Sequence, residues 1–86
     1  MPELSRWGGI VISMYWKDHA RPHFHARYSG DNVVYSLYYM DFTEGGLPRT
    51  QENQIREWAV IHQAELLDNW ERAESGGPLY KIEPYR

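Results

Sequence analysis

Pro22-His23-Phe24-His25-Ala26-Arg27-Tyr28-Ser29-Gly30-Asp31-Asn32-Val33-Val34-Tyr35-Ser36-Leu37 carries the pattern that decides the fold. Successive side chains of a strand point to opposite faces. A strand over His23 to Tyr28 therefore puts His23, His25 and Arg27 on one face and turns Phe24, Ala26 and Tyr28 to a core. Ser29-Gly30-Asp31-Asn32 is a turn cluster. Val33 to Leu37 reads as the next strand, with Val33, Tyr35 and Leu37 on one side.

Upstream, Gly9-Ile10-Val11-Ile12-Ser13-Met14-Tyr15-Trp16 reads as a first strand, with Ile10, Ile12, Met14 and Trp16 on one face. Lys17 to Pro22 is a turn or short loop, and Pro22 biases Arg21 away from the helical region. Downstream, Tyr38 to Phe42 prolongs the third strand or opens a short fourth. Thr43 to Pro48 breaks the pattern.

A helix is expected from about Gln51 to Ala73, with Thr50 as its N-cap and Glu52 in the first turn. Ile55, Trp58, Ala59, His62, Leu66, Trp70 and Ala73 recur at three- and four-residue steps and form one stripe. Ser75-Gly76-Gly77-Pro78 ends the helix. Leu79 to Glu83 is an edge strand or an extended tail. The expected fold is α+β: an antiparallel β-meander of three to four strands packed against one long C-terminal α-helix, with a short C-terminal extended segment. At about 1.5 Å per residue the helix is about 35 Å long and overhangs the sheet, offering a contact for a second chain and so for a homo-oligomer.

The 86 residues suit a single domain, 1–86. A chain of this size buries roughly 60–65% of its unfolded surface, so four Trp, seven Tyr and two Phe matter to the core. There is no cysteine, which excludes disulfides and thiolate metal sites. The start has no apolar signal region and no run is long enough to span a bilayer, so a cytoplasmic protein without membrane contact is expected. Net charge is −3. Residues 1–30 carry four basic and two acidic side chains, and residues 31–86 carry five and ten. A whole-molecule basic field for nucleic acid is absent, yet a local basic face around the histidines is possible.

Three of the four histidines fall within Asp18-His19-Ala20-Arg21-Pro22-His23-Phe24-His25. Two imidazoles on one face can divide proton removal and donation in phosphodiester cleavage, with RNA supplying its own 2′-hydroxyl nucleophile. His23 and His25 are then acid and base, His19 assists, and Arg21 and Arg27 hold the phosphate. A second reading is metal: His-x-His places two imidazoles on one ion, and His19, Asp18 or His62 completes the shell, against the repulsion of Arg21 and Arg27. A third treats the histidines as hydrogen-bonded sheet residues on a protein-binding surface that includes Arg21, Arg27 and Tyr28. His62 reads as a core histidine, and Trp16, Trp58 and Trp70 as core; Trp7 is expected half exposed. Trp7, Tyr15 or Tyr28 could also stack on single-stranded RNA. No motif requires a cofactor.

The strings Gly9-Ile10-Val11-Ile12, Met14-Tyr15, Asp18-His19, Pro22-His23-Phe24-His25-Ala26, Glu57-Trp58, His62, Glu65-Leu66-Leu67, Asn69-Trp70 and Lys81-Ile82 resemble a bacterial family catalogued as domain of unknown function 4160. Tyr38 to Asp41 and Thr50 to Gln54 depart from its pattern. The resemblance implies a gene often paired with one for another small domain, number 2442. It thus implies a component of a toxin–antitoxin-like or regulatory two-gene module acting through protein–protein binding. It carries over no catalytic residue. Ribonuclease activity and histidine-based metal binding are the alternatives.

Overall fold

The computed structural model describes residues 2–86. Five strands form one antiparallel sheet: β1 Glu3–Trp7, β2 Ile10–Ser13, β3 His23–Tyr28, β4 Asp31–Ser36 and β5 Asp41–Glu44, in that spatial order. Two helices follow, α1 Arg49–Ile61 and α2 Gln63–Glu74. The class is the expected α+β, with more strands and a divided helix.

The unforeseen strand is β1. Gly8 and Gly9 both have positive φ, 52° and 82°, and connect Trp7 to its partner Ile10. That two-glycine turn matches the twist of a tight hairpin, and it folds Leu4 into the core. The turn Ser29-Gly30 does the same between Tyr28 and Asp31.

Register places Ile12, Ala26 and Val33 in one row on the inner face, and Ser13, His25 and Val34 in one row on the outer face. Ile10, Ile12, Met14, Phe24, Val33, Tyr35 and Leu37 are buried against Ile55, Trp58, Leu66 and Trp70 of the helices. The Trp58 ring meets Phe24 edge-on at 5.7 Å. Trp16, expected in the core, is 48% exposed. The chain leaves the sheet after Ser13, and the Trp16 indole instead donates to the Gly77 carbonyl at 2.9 Å.

The helix divides at His62, whose backbone lies at φ −105°, ψ 21°. The stripe stays in phase across the break, since Leu66, Trp70 and Ala73 are buried as Ile55, Trp58 and Ala59 are. The single helix of about 35 Å is therefore corrected to two shorter segments. His62 is no core residue: it caps the second segment, and its Nδ1 lies 2.6 Å from Glu65 Oε1. Thr50 is not the N-cap either. Pro48 holds that position, and Glu52 reaches back to accept the Leu47 N–H at 3.0 Å.

Residues 79–83 form an extended tail and no strand. The Ile82 N–H donates to Leu4 O at 2.8 Å, beside edge strand β1. Buried Asn69 clamps the tail at Tyr80, donating to its carbonyl and accepting from its N–H, both at 2.9 Å. Asn69→Ala is expected to cost about 1–3 kcal/mol, because it leaves both Tyr80 groups unpaired. Chemical denaturation measures the loss, and faster amide exchange at Tyr80 and Ile82 locates it. No helix among the described residues is long and apolar enough to cross a membrane.

Candidate functional site

The outer sheet face holds the histidines as their alternation requires. Phe24 and Ala26 are buried beneath, and the rings of His23 and His25 lie 5.1 Å apart. His23 stands where β3 begins and also touches the ring of Trp70, at 5.0 Å. Its side chain is only 12% exposed.

The loop between β2 and β3 brings Asp18 to these rings. Lys17, at φ 56°, donates its N–H to Ala73 O at 2.8 Å, which ties the loop to the end of α2. Asp18 Oδ1 accepts the Ala20 N–H at 3.0 Å, a local turn that fixes the carboxylate. Its other oxygen, Oδ2, lies 3.2 Å from His23 Nε2. One donor atom from each of Asp18, His23 and His25 lies within 4.8 Å of the other two.

Each member is held from behind. His23 Nδ1 is 2.7 Å from the Arg21 carbonyl, so that nitrogen carries the proton and donates. That leaves Nε2 as the ring nitrogen on the Asp18 side. The Tyr15 ring meets His25 edge-on at 4.5 Å. His25 Nε2 is sealed from solvent with no hydrogen-bond partner among the described residues. Burial pushes the His25 imidazole below its ordinary pKa, the His23 charge adds to this, and Asp18 and Glu44 oppose it. Neutral imidazole is the form that ligates metals.

The cluster lines a cleft of about 550 Å³, whose other walls include Tyr15, Arg21, Ser36, Tyr39, Thr43 and Glu44. Ser36 Oγ accepts the N–H groups of Tyr38 and Tyr39 at 3.1 and 2.9 Å, which sets that rim.

The remaining sequence candidates divide. His19 is exposed and lies outside both the cluster and the cleft lining. His62 lines a different pocket, with Trp58 and Tyr85. Arg27 is exposed on the outer face beside a neighbouring groove shared with Arg6 and Asn32. Tyr28 packs against the core, with its ring under Gly9. Arg21 lies at the cleft with its guanidinium 4.2 Å from the Tyr38 ring centre. Tyr39 and Glu44, which no sequence pattern singled out, reach the cleft through the β4–β5 register.

A five-stranded antiparallel sheet backed by two helices, with a His–His–Asp cluster on its open face, defines the class of molecule. The chain belongs to the family Domain of unknown function (DUF4160), whose model matches residues 9–71. No curated protein and no solved structure matches it.

Proposed function

We propose that this protein binds one divalent transition-metal ion, of the zinc or ferrous class, through Asp18, His23 and His25. The observation that carries the reading is the convergence of these three donors, with the opposite nitrogen of His23 already committed to a carbonyl. Metal-ligating histidines characteristically donate their other N–H to such an acceptor, and ligating carboxylates are themselves hydrogen-bonded. Asp18 meets the second condition through Ala20.

Distances support it. Two ligands about 2.1 Å from a tetrahedral ion stand about 3.4 Å apart, and His23 Nε2 and Asp18 Oδ2 are 3.2 Å apart. Two imidazoles and one carboxylate leave positions open to the cleft, as in sites where a metal also holds water or substrate.

Zinc titration against a chromophoric chelator tests the proposal. Wild type should take up one zinc per chain. His25→Ala and Asp18→Asn should weaken it by on the order of 100-fold, while His19→Ala leaves it unchanged. Equal affinity in wild type and His25→Ala would contradict the site.

A second reading, a partner-binding component of a toxin–antitoxin-like or regulatory pair, draws on Val60 and Ile61. These aliphatic side chains are adjacent on the helix end and exposed. Co-expression with the adjacent gene should yield a complex that Val60→Asp abolishes; survival of the complex in that variant contradicts this surface.

A further inference from the structure

We infer that the cleft takes a phosphate group that bridges the ion at Asp18, His23 and His25 and the guanidinium of Arg21; this rests on the metal reading above. Arg21 is placed for that role by its own backbone. Its carbonyl holds the His23 ring at 2.7 Å, so the residue that carries the guanidinium also orients one of the metal donors, at the start of β3. The guanidinium lies 4.2 Å over the Tyr38 ring and 5.8 Å from that of Tyr39. Its single hydrogen-bond contact among the described residues is the Tyr39 hydroxyl, at 3.5 Å.

No carboxylate lies within 4.0 Å of Arg21 among the described residues, although the chain is acidic and Arg6, Arg56 and Arg72 are all paired. A planar fork with donors unspent, oriented by an aromatic face, suits a tetrahedral oxyanion.

Charge points the same way. The cleft walls carry Asp18, Glu44 and Arg21 as ionisable groups besides the histidines and tyrosines. A divalent ion added to these leaves net positive charge, which draws an anion into the open coordination positions. The volume, about 550 Å³, exceeds what an ion and its waters fill and lies in the range of small-molecule sites. A phosphate can place one oxygen on the ion and two on the guanidinium. A carboxylate has only two oxygens to share.

The test uses the full chain loaded with cobalt(II), whose visible bands report its ligands, titrated with inorganic phosphate and, in parallel, acetate. Wild type should take up one cobalt per chain and show a saturable band shift with phosphate. Arg21→Ala should raise the half-saturating phosphate concentration at least ten-fold, and Arg21→Lys, which keeps charge and loses the fork, should fall between. Both variants keep the carbonyl that orients His23. An unchanged phosphate titration in Arg21→Ala overturns the inference, as does acetate binding as tightly as phosphate. Cobalt that binds while its bands ignore phosphate overturns the inference alone. Failure of cobalt to bind overturns the metal reading and this inference with it.

Discussion

Trp58→Ala should lose about 3–5 kcal/mol of folding stability, the range for truncating a large buried aromatic. Trp58 joins three parts of the molecule. Its ring lies 5.7 Å from Phe24 of β3 and 5.1 Å from Trp7 of β1, and its indole N–H donates to Glu83 O at 2.8 Å in the tail. The truncation therefore opens a cavity between helix and sheet and frees a tail carbonyl at once. Small domains hold about 5–10 kcal/mol in total, and each kcal/mol moves their midpoint by about 4–8 °C. The variant should melt tens of degrees lower or fail to fold, read by thermal denaturation. Trp58→Phe, which keeps a ring and loses the donor, should retain a cooperative transition at intermediate temperature.

Gly45→Ala should destabilise by on the order of 3 kcal/mol, a large effect for a single methyl. Gly45 has φ +77°, and a Cβ there would overlap Asn32 O and fall 3.1 Å from Val33 Cγ1. Neither the left-handed backbone nor the carbonyl can yield cheaply. The backbone must move, and β5 with it, since Glu44 pairs with Val34 across the bulged end of the β4–β5 ladder. Thr43 and Glu44 form the far wall of the cleft, so the substitution disturbs the site from a distance. Denaturant unfolding gives the loss, and amide exchange should show protection falling first in β5. Wild-type stability in this variant would contradict the steric argument.

Alternation made β3 and β4 legible, because Phe24 between two histidines permits one orientation, and Val33, Tyr35 and Leu37 share the buried face of the next strand's alternation. Periodicity made the helical stripe legible and hid its break, since Leu66 and Trp70 continue the phase of Ile55 and Trp58 past His62. Gly8-Gly9 between apolar residues carried the signal for β1, as a two-glycine turn needing positive φ. Trp16 misled because a β-branched run names a strand without marking where the chain leaves the sheet. At the site, the pairing of His23 and His25 followed from strand geometry alone. The selection of Asp18 over the adjacent His19 and the distant His62 did not. It depends on the Ala20 turn and the Lys17 tether to α2, both long-range or loop features that spacing does not encode.

Anomalous diffraction at the zinc edge, from crystals of the protein grown with one equivalent of zinc, locates the ion. A single strong peak is expected about 2.0–2.2 Å from one ring nitrogen each of His23 and His25 and from a carboxylate oxygen of Asp18. A fully ordered cluster with no peak among these three side chains, or with zinc held elsewhere, would contradict the metal reading.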